Sequence, residues 1–316
     1  MISRRLLRIK ILQILYAHFM LDCQPLDKTE EELLFSIQKS YDLYNYLLLL
    51  IIDIVRYANS RIELAKQKKI PTCEDLNPNT KFIDNKLIKQ LSNNEQLKKY
   101  IFNNKLSWEN HPELIKTFYS KITESEHYAK YLNNKNNSYE VDKKIIIKLY
   151  LNEIVNCEQL YQCLEEQSIY WNDDIEFVIS MIIKTLSKFK EKDNESTLLM
   201  KLYKNDDDKD FVKRLLRKTI LNHLEYKKLI DEKTKNWDVN RIIFMDILIM
   251  QLAIAEMIEF SSIPTRVTFN EYLEISKLYS TKKSSNFING ILDKILHSLK
   301  KENIIIKQGR GLIGES

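Results

Sequence analysis

Positively charged side chains cluster at the start of the chain. Arg4, Arg5, Arg8 and Lys10 lie within the first ten residues, and the first acidic residue is Asp22. Guanidinium groups bind phosphate oxygens through charge-assisted hydrogen bonds, and a group of cations gains affinity by releasing counterions from a polyanion. The residues fit two interpretations equally well: a phosphate-binding surface, or a basic helix end that is only solvated.

A second group of polar and aromatic residues lies near the end of the chain. Lys282, Lys283, Ser284 and Phe287 bring two cations, a hydroxyl group and a ring to the start of a predicted helix. Amide groups at a helix start attract anions, and an exposed ring can stack on an unpaired base. Alternatively, Ser284 caps the helix and Phe287 packs in the core. The spacing alone slightly favours this second interpretation.

The residue types that perform catalysis are scattered along the sequence. None of the five histidines has the spacing of a zinc site or of a metalloprotease motif. Segment 309–314 matches G-x-G-x-x-G, but no helix follows it to present amides to a pyrophosphate, so we interpret it as a chance match in a frayed tail. The acidic run 206–208 is typical of a solvated linker. The sequence therefore predicts no catalytic residue, no metal site and no cofactor, and we expect no enzyme.

The composition indicates the fold class. The 316 residues include 4 Gly and 5 Pro, whereas average usage would give about 22 and about 16. A doubly wound nucleotide-binding sheet or a β-sandwich needs many glycine turns. We therefore predict an all-α protein in the form of an antiparallel helical bundle.

Charge, cysteine usage and hydropathy indicate the compartment. The net charge is +5, and the four cysteines form no C-x-x-C pair, as is typical of a reducing cytosol. The longest apolar run, 47–52, is much shorter than the roughly 20 residues of a membrane span. We expect a cytoplasmic protein that does not enter a membrane.

Helical periodicity extends along almost the whole chain. The first helix is predicted at about 3–21, and the T-x-x-E pattern at 29–32 predicts a capping box for a helix that reaches about residue 69. The tract up to about residue 204 has no internal repeat, and its residues do not indicate a function. The other predicted helices lie near 84–102, 112–132, 142–168, 174–190, 209–231, 237–257, 268–278 and 286–301.

Several motifs together resemble the NusB family. The last third contains I-P-x-x-V-x-F-N-E at 263–271, I-S-K at 275–277, Ser284 and F-I-N-G-I-L-D at 287–293. The pattern W-x-V-x-R-I-x-x-x-D at 237–246, followed by Glu256, resembles the central helix of that family. The patterns R-R-x-x-R at 4–8 and Q-x-L-Y at 13–16 resemble its arginine-rich first helix. The resemblance covers residues 1–22 and about 209–300.

The resemblance implies an all-helical transcription antitermination and rRNA biogenesis factor. Members of the family pair with NusE, a small-subunit ribosomal protein, bind the single-stranded boxA element of nascent RNA, and join RNA polymerase with other Nus factors. Carried over to this sequence, Arg4, Arg5 and Arg8 match the basic RNA-binding start of the family, and Ser284 and Phe287 lie where its other RNA-contacting loop lies. Lys282 and Lys283 differ from the residues expected in that loop, and their positive charge alone places them in the predicted RNA-binding set. Tyr16, Asn240 and Asp246 match positions on or near the surface that would face NusE.

The chain is longer than is usual for this family. We expect a discontinuous NusB-like domain of residues 1–22 plus 206–302, an inserted helical region 23–205 of unknown role, and a C-terminal tail 303–316. Two alternatives remain: an RNA-binding module related to the NusB-like domain of some rRNA cytosine methyltransferases, or a non-enzymatic assembly factor that binds only protein. The scarcity of glycine argues against a methyltransferase domain, and the arginine cluster argues against a protein-only factor.

Overall fold

The computed structural model describes residues 3–21, 24–203, 205–234, 243–281 and 283–314. In these ranges the regular structure is helical, with no strand, which confirms the predicted all-α class. None of the helices in these ranges is long and apolar enough to cross a membrane. The described chain divides into two compact units. The middle unit comprises residues 38–202, and the terminal unit comprises residues 3–37 together with residues from 203 onward.

Fifteen α-helices lie in the described part of the chain, and the boundary between the two units falls inside the second helix. In chain order they are α1 (Arg4–Met20), α2 (Leu26–Lys66), α3 (Cys73–Leu76), α4 (Lys86–Asn93), α5 (Glu95–Asn104), α6 (Pro112–Glu124), α7 (Glu126–Asn133), α8 (Tyr139–Leu149), α9 (Glu158–Gln167), α10 (Ile175–Lys188), α11 (Asp206–Leu221), α12 (His223–Lys233), α13 (Phe244–Glu259), α14 (Thr265–Tyr279) and α15 (Ser284–Lys301).

The middle unit has an aromatic core. Tyr46, on α2, stacks on Trp108 with ring centroids 3.8 Å apart and planes 4° apart, and the Trp108 indole donates a hydrogen bond to the Tyr46 carbonyl at 3.0 Å. Tyr150 begins a π-helical segment directly after α8, and its hydroxyl donates to the Leu47 carbonyl at 2.8 Å. Buried aromatic groups with satisfied polar atoms therefore attach the surrounding helices to α2.

The terminal unit is built around α13. Residues 248–257 of this helix are all buried, and α1, α11, α12, α14 and α15 pack against it. A helix that is apolar nearly all round needs such a central place. The apolar face of α1, with Leu7, Ile11 and Leu15, is fully buried, and α1 packs on α11 and α13. The sequence pattern of α1 predicts this burial.

The start of α2 differs from the sequence prediction. The helix begins at Leu26, so Thr29 lies inside its first turn and is no capping residue. The Thr29 hydroxyl donates to the Pro25 carbonyl at 3.3 Å and lies 2.9 Å from Nδ1 of His18. A tertiary contact with α1 therefore occupies the side chain that the T-x-x-E pattern assigns to a cap.

The helix predicted at 209–231 is divided at Asn222 into α11 and α12. The acidic run 206–208 forms the first turn of α11 and is not a linker. Carboxylates are favourable there because the helix N-terminus carries partial positive charge. The Asn222 amide donates to the Tyr226 hydroxyl at 3.1 Å, which supports the break.

The C-terminal segment is docked on the end of α13 and is not frayed. The ammonium group of Lys307 donates to the carbonyls of Met257 and Phe260 at 2.9 and 3.0 Å. The Met257 carbonyl belongs to the last turn of α13, where carbonyls have no N–H partner within the helix. The backbone of Gly311 passes so close to Ser261 that a Cβ atom would lie 1.9 Å from the Ser261 carbonyl oxygen. Glycine is required here for close approach of two backbones, not for a phosphate loop.

Candidate nucleic-acid interface

The start of α1 places the predicted basic cluster at one end of the terminal unit. The Ser3 hydroxyl caps the helix by accepting a hydrogen bond from the Leu6 amide at 3.2 Å. This cap fixes the first turn, which carries Arg4 and Arg5, and Arg8 follows one turn later on the same face as Arg4.

The Arg8 side chain is buried and does not face solvent. Its Nε and Nη2 atoms donate to the two carboxylate oxygens of Glu256, each at 2.7 Å. The same carboxylate accepts from the hydroxyls of Thr268 at 2.8 Å and Tyr272 at 3.1 Å. Burial lowers the pKa of Arg8, but the charge and hydrogen bonds of Glu256 outweigh it and raise the pKa well above its usual range. The guanidinium stays charged and joins α1 to α13.

This burial corrects the expectation that Arg8 contacts RNA. The side chain of Arg8 is only 3% exposed and that of Glu256 is 0% exposed, so no phosphate can reach the guanidinium in this structure. The sequence could not reveal the pair because 248 positions separate the two residues.

Arg4 and Arg5 are partly exposed, and carboxylates from other helices orient them. Arg4 Nε lies 2.9 Å from Asp208 Oδ1, on the first turn of α11. Arg5 donates through Nε and Nη2 to both oxygens of Glu271 on α14, at 2.9 and 3.0 Å. The hydrogen bonds to Glu271 raise the pKa of Arg5. The two side chains are 40% and 38% exposed, so part of each guanidinium faces solvent.

The turn between α14 and α15 is held together by hydroxyl groups. Ser284 is buried, and its Oγ lies 2.9 Å from Ser280 Oγ and 2.8 Å from Thr281 Oγ1. The Ser280 hydroxyl also donates to the buried carboxylate of Asp246 on α13. The expectation that Ser284 is exposed to a ligand is corrected, and the side chain of Asp246 is buried next to this turn. Both side chains shape the turn instead.

The other residues of this turn are more accessible. Lys283 is exposed and Phe287 is half-buried at the start of α15. Lys282 lies outside the described residues. The half-buried ring is compatible with partial packing against the bundle and with one accessible face.

The arginines at the start of α1 and the turn between α14 and α15 lie at different levels along the helix axes. Arg5 contacts Glu271, and eight positions further along both helices the Gln13 amide donates to the Tyr279 hydroxyl at 3.1 Å. The helices α1 and α14 therefore run in the same direction. The turn that carries Lys283 follows Tyr279, so it is displaced from the arginines by about 12 Å along the helix axes.

Of the predicted partner-facing positions, Tyr16 lies in the C-terminal half of α1. Tyr16 is exposed, and its ring centroid is 6.0 Å from that of Phe244 on α13. Phe19 lies between Phe244 and His223, with centroid distances of 6.3 and 4.3 Å. Asn240 lies outside the described residues. Tyr16 thus belongs to an aromatic group at the surface of the terminal unit.

The structure also brings together a cysteine and a histidine that sequence reasoning missed. Cys163 Sγ lies 3.3 Å from His111 Nδ1 in the middle unit, and the Gln167 amide donates to the same sulfur at 3.2 Å. Burial raises the pKa of the Cys163 thiol, whereas a nucleophilic cysteine needs a lowered pKa. Within the described ranges, no group of three His, Cys, Asp or Glu side chains could hold a metal ion.

Comparisons with known proteins agree with the resemblance of the sequence motifs. The model of the NusB family matches residues 175–297. The chain is 40% identical over 105 residues to the transcription antitermination protein NusB of Chloroherpeton thalassium, a match that covers 33% of this chain and 50% of that protein. It thus spans about half the length of that relative.

Two further relatives carry the same name. The protein of Salinibacter ruber is 32% identical over 139 residues, which cover 42% of this chain and 87% of the relative. The protein of Natranaerobius thermophilus is 36% identical over 97 residues, which cover 31% of this chain and 70% of the relative. No solved structure matches the chain.

Proposed function

This chain belongs to the NusB family, and we propose that it is a transcription antitermination factor that binds RNA without catalysing a reaction. The relatives that it matches are transcription antitermination proteins by name. The proposal includes the partners implied by the sequence resemblance: single-stranded boxA RNA, NusE, and RNA polymerase with other Nus factors, in rRNA biogenesis.

The observation that carries this proposal is the arrangement of Arg4 and Arg5. Both guanidinium groups are held by carboxylates from other helices and yet remain about two-fifths exposed. A guanidinium has five N–H donors, and Arg5 uses two of them on Glu271. The remaining donors provide oriented contacts for phosphate oxygens. Arg8 supports these contacts by fixing α1 to α13.

The remaining site residues enter the proposal with different roles. Lys282 and Lys283 would add positive charge beside Phe287, which would stack on a boxA base. Ser284 and Asp246 shape the turn that carries these three residues. Tyr16 and Asn240 would contact NusE. We keep the proposed NusB-like domain at residues 1–22 plus 206–302, with 23–205 as an insertion and 303–316 as the C-terminal segment.

Fluorescence anisotropy with a labelled single-stranded boxA RNA tests this proposal. Binding is measured with and without NusE over a series of salt concentrations. We expect NusE to strengthen binding. The double variant Arg4→Ala/Arg5→Ala should reduce the slope of log affinity against log salt by about 1.4, because each phosphate contact with a single strand contributes about 0.7.

The control is Lys116→Gln/Lys130→Gln, which removes two charges from exposed pairs in the middle unit. It should leave the slope unchanged. An equal slope in wild type and in the arginine variant would contradict a phosphate contact. Binding of NusE without any binding of RNA would instead support the protein-only assembly factor.

A further inference from the structure

From residue 213 onward, the solvent-facing side of α11 carries four cations that the sequence motifs do not include. They lie at positions i, i+1, i+4 and i+5, so they form one ridge along the helix. Their side chains are between 37% and 54% exposed. These residues, which we call the α11 ridge, are Lys213, Arg214, Arg217 and Lys218.

On one side of the ridge, two cations share one carboxylate. Lys213 Nζ lies 2.8 Å from Oε1 of Glu30 on α2, and Arg217 Nε donates to Oε2 of the same residue. Glu30 is buried, whereas Asp27, 3.5 Å from Arg217, is highly exposed and contributes little. Burial favours the neutral form of Glu30, but hydrogen bonds from the two cations outweigh it and lower its pKa.

The other side of the ridge repeats this arrangement. Arg214 Nη2 and Lys218 Nζ lie 2.8 and 3.1 Å from the two carboxylate oxygens of Glu259, at the end of α13. Burial again opposes the charge of Glu259, and the two cations again lower its pKa. Glu30, Glu259 and the exposed Asp27 together carry three negative charges against the four cations. The ridge therefore keeps surplus positive charge on side chains that are already oriented.

The α11 ridge continues directly from Arg4. The Arg4 guanidinium lies over the Phe211 ring at 5.1 Å, Phe211 lies 4.9 Å from Phe260, and the Arg214 guanidinium lies over Phe260 at 5.3 Å. Arg4 is also paired with Asp208, ten positions before Lys218. The cations thus follow α11 for about 15 Å from the start of α1.

We propose that the α11 ridge is a phosphate-binding track for the same RNA strand that contacts Arg4 and Arg5, an inference that rests on the proposed function. Surplus charge on oriented Arg and Lys side chains fits the regularly spaced phosphates of a nucleic-acid backbone. Contacts of this kind supply affinity and register without reading bases. The continuity with Arg4 favours RNA over an acidic protein as the ligand.

The double variant Arg217→Gln/Lys218→Gln tests the track. It removes one cation from each pair and leaves Lys213 on Glu30 and Arg214 on Glu259, so neither carboxylate loses all its partners. Anisotropy with the full-length chain and single-stranded RNA should give a salt slope lower by about 1.4 than that of wild type. With an RNA of scrambled sequence, the variant should show the same decrease in salt slope relative to wild type, because backbone contacts are independent of sequence.

The control Lys116→Gln/Lys130→Gln has the same change in net charge and should keep the wild-type slope. Thermal melting monitored by circular dichroism verifies that each variant is folded. A wild-type slope in the folded ridge variant overturns the track, while the proposed function survives if Arg4→Ala/Arg5→Ala still lowers the slope. No binding of RNA by the wild-type chain overturns both.

Discussion

Arg8 and Glu256 form a two-armed ion pair in the interior of the terminal unit, with both donor–acceptor distances at 2.7 Å. The pair joins the start of α1 to the end of α13, although 248 positions separate the two residues. Hydroxyls of Thr268 and Tyr272 complete the shell around the carboxylate. The arginine-rich start of the chain therefore serves two purposes: Arg8 fixes the helix, and Arg4 and Arg5 present charge at the surface.

Removing one member of the Arg8–Glu256 pair should strongly destabilise the protein. Arg8→Gln leaves a buried carboxylate without its cation, and breaking a buried ion pair in this way costs about 3–5 kcal/mol. Urea denaturation measures the loss. Arg5→Gln is the control, since its pair with Glu271 is partly exposed and should contribute below about 1 kcal/mol. Equal losses for the two variants would contradict the assigned roles.

His18 should make the stability depend on pH. Burial, and then the positive charge of His223, lower the pKa of His18 below its ordinary value of 6.5. The folded state therefore keeps His18 neutral, while the unfolded chain takes up a proton at about pH 6.5. Stability should be fully present above about pH 6.5 and should fall as the pH drops below it.

Thermal melts between about pH 7.5 and about pH 5 measure this dependence. His18→Gln should flatten the decrease, whereas His297→Gln, at an exposed position, should keep it. If the two variants gave the same curve as wild type, His18 would not be the titrating group.

Gly311→Ala should release the C-terminal segment. The added Cβ would lie 1.9 Å from the Ser261 carbonyl oxygen, and backbone atoms must move apart to accommodate it. We expect a loss of about 1–3 kcal/mol in unfolding free energy, as for other overpacked sites. Hydrogen exchange should become faster over residues 303–314.

The matched control for this change is Gly290→Ala. Gly290 lies inside α15, and an added Cβ there has no atom within 4 Å. Alanine should stabilise the helix by about 0.8–1.0 kcal/mol. Unchanged hydrogen exchange over 303–314 in Gly311→Ala would argue that this segment is not docked in solution.

Local patterns in the sequence predict where helical structure lies, because burial of one face imposes a 3.6-residue period. They do not predict where helices break, since the predicted helices at 84–102, 112–132 and 142–168 are each divided in the structure. The apolar face of α1 and the apolar α13 follow directly from this rule. The pattern cannot distinguish Arg8 from Arg4 and Arg5, since burial of Arg8 depends on a carboxylate brought from far along the chain. The same limitation hides Glu30 and Glu259, which orient the α11 ridge. Composition likewise could not show that Gly311 permits a close backbone contact.

Incubation of the chain with rRNA and S-adenosylmethionine should transfer no methyl group. The thiol of Cys163 has a raised pKa, and methyl transfer to cytosine through a cysteine needs the thiolate as nucleophile. Radiolabelled methyl transfer to rRNA is the measurement, with a known rRNA cytosine methyltransferase as the positive control. Incorporation above the level of heat-denatured protein would contradict the proposed absence of catalysis.

Phe287 should contribute to RNA binding more than to folding. The ring is half-buried at the start of α15, beside the exposed Lys283. Stacking of a base on an aromatic ring is worth about 1–3 kcal/mol by alanine substitution. We therefore expect Phe287→Ala to weaken binding of boxA RNA by this amount.

Two measurements distinguish stacking from packing for Phe287→Ala. Anisotropy gives the change in binding, and thermal melting gives the change in stability, which should be small. A core Phe→Ala change would instead cost roughly 3–5 kcal/mol of unfolding free energy. Phe287→Tyr keeps a ring that can stack, so it should keep an RNA affinity close to that of wild type if the ring faces the base. A large fall in melting temperature with Phe287→Ala would assign the ring to the core, and only the cationic part of the interface would remain.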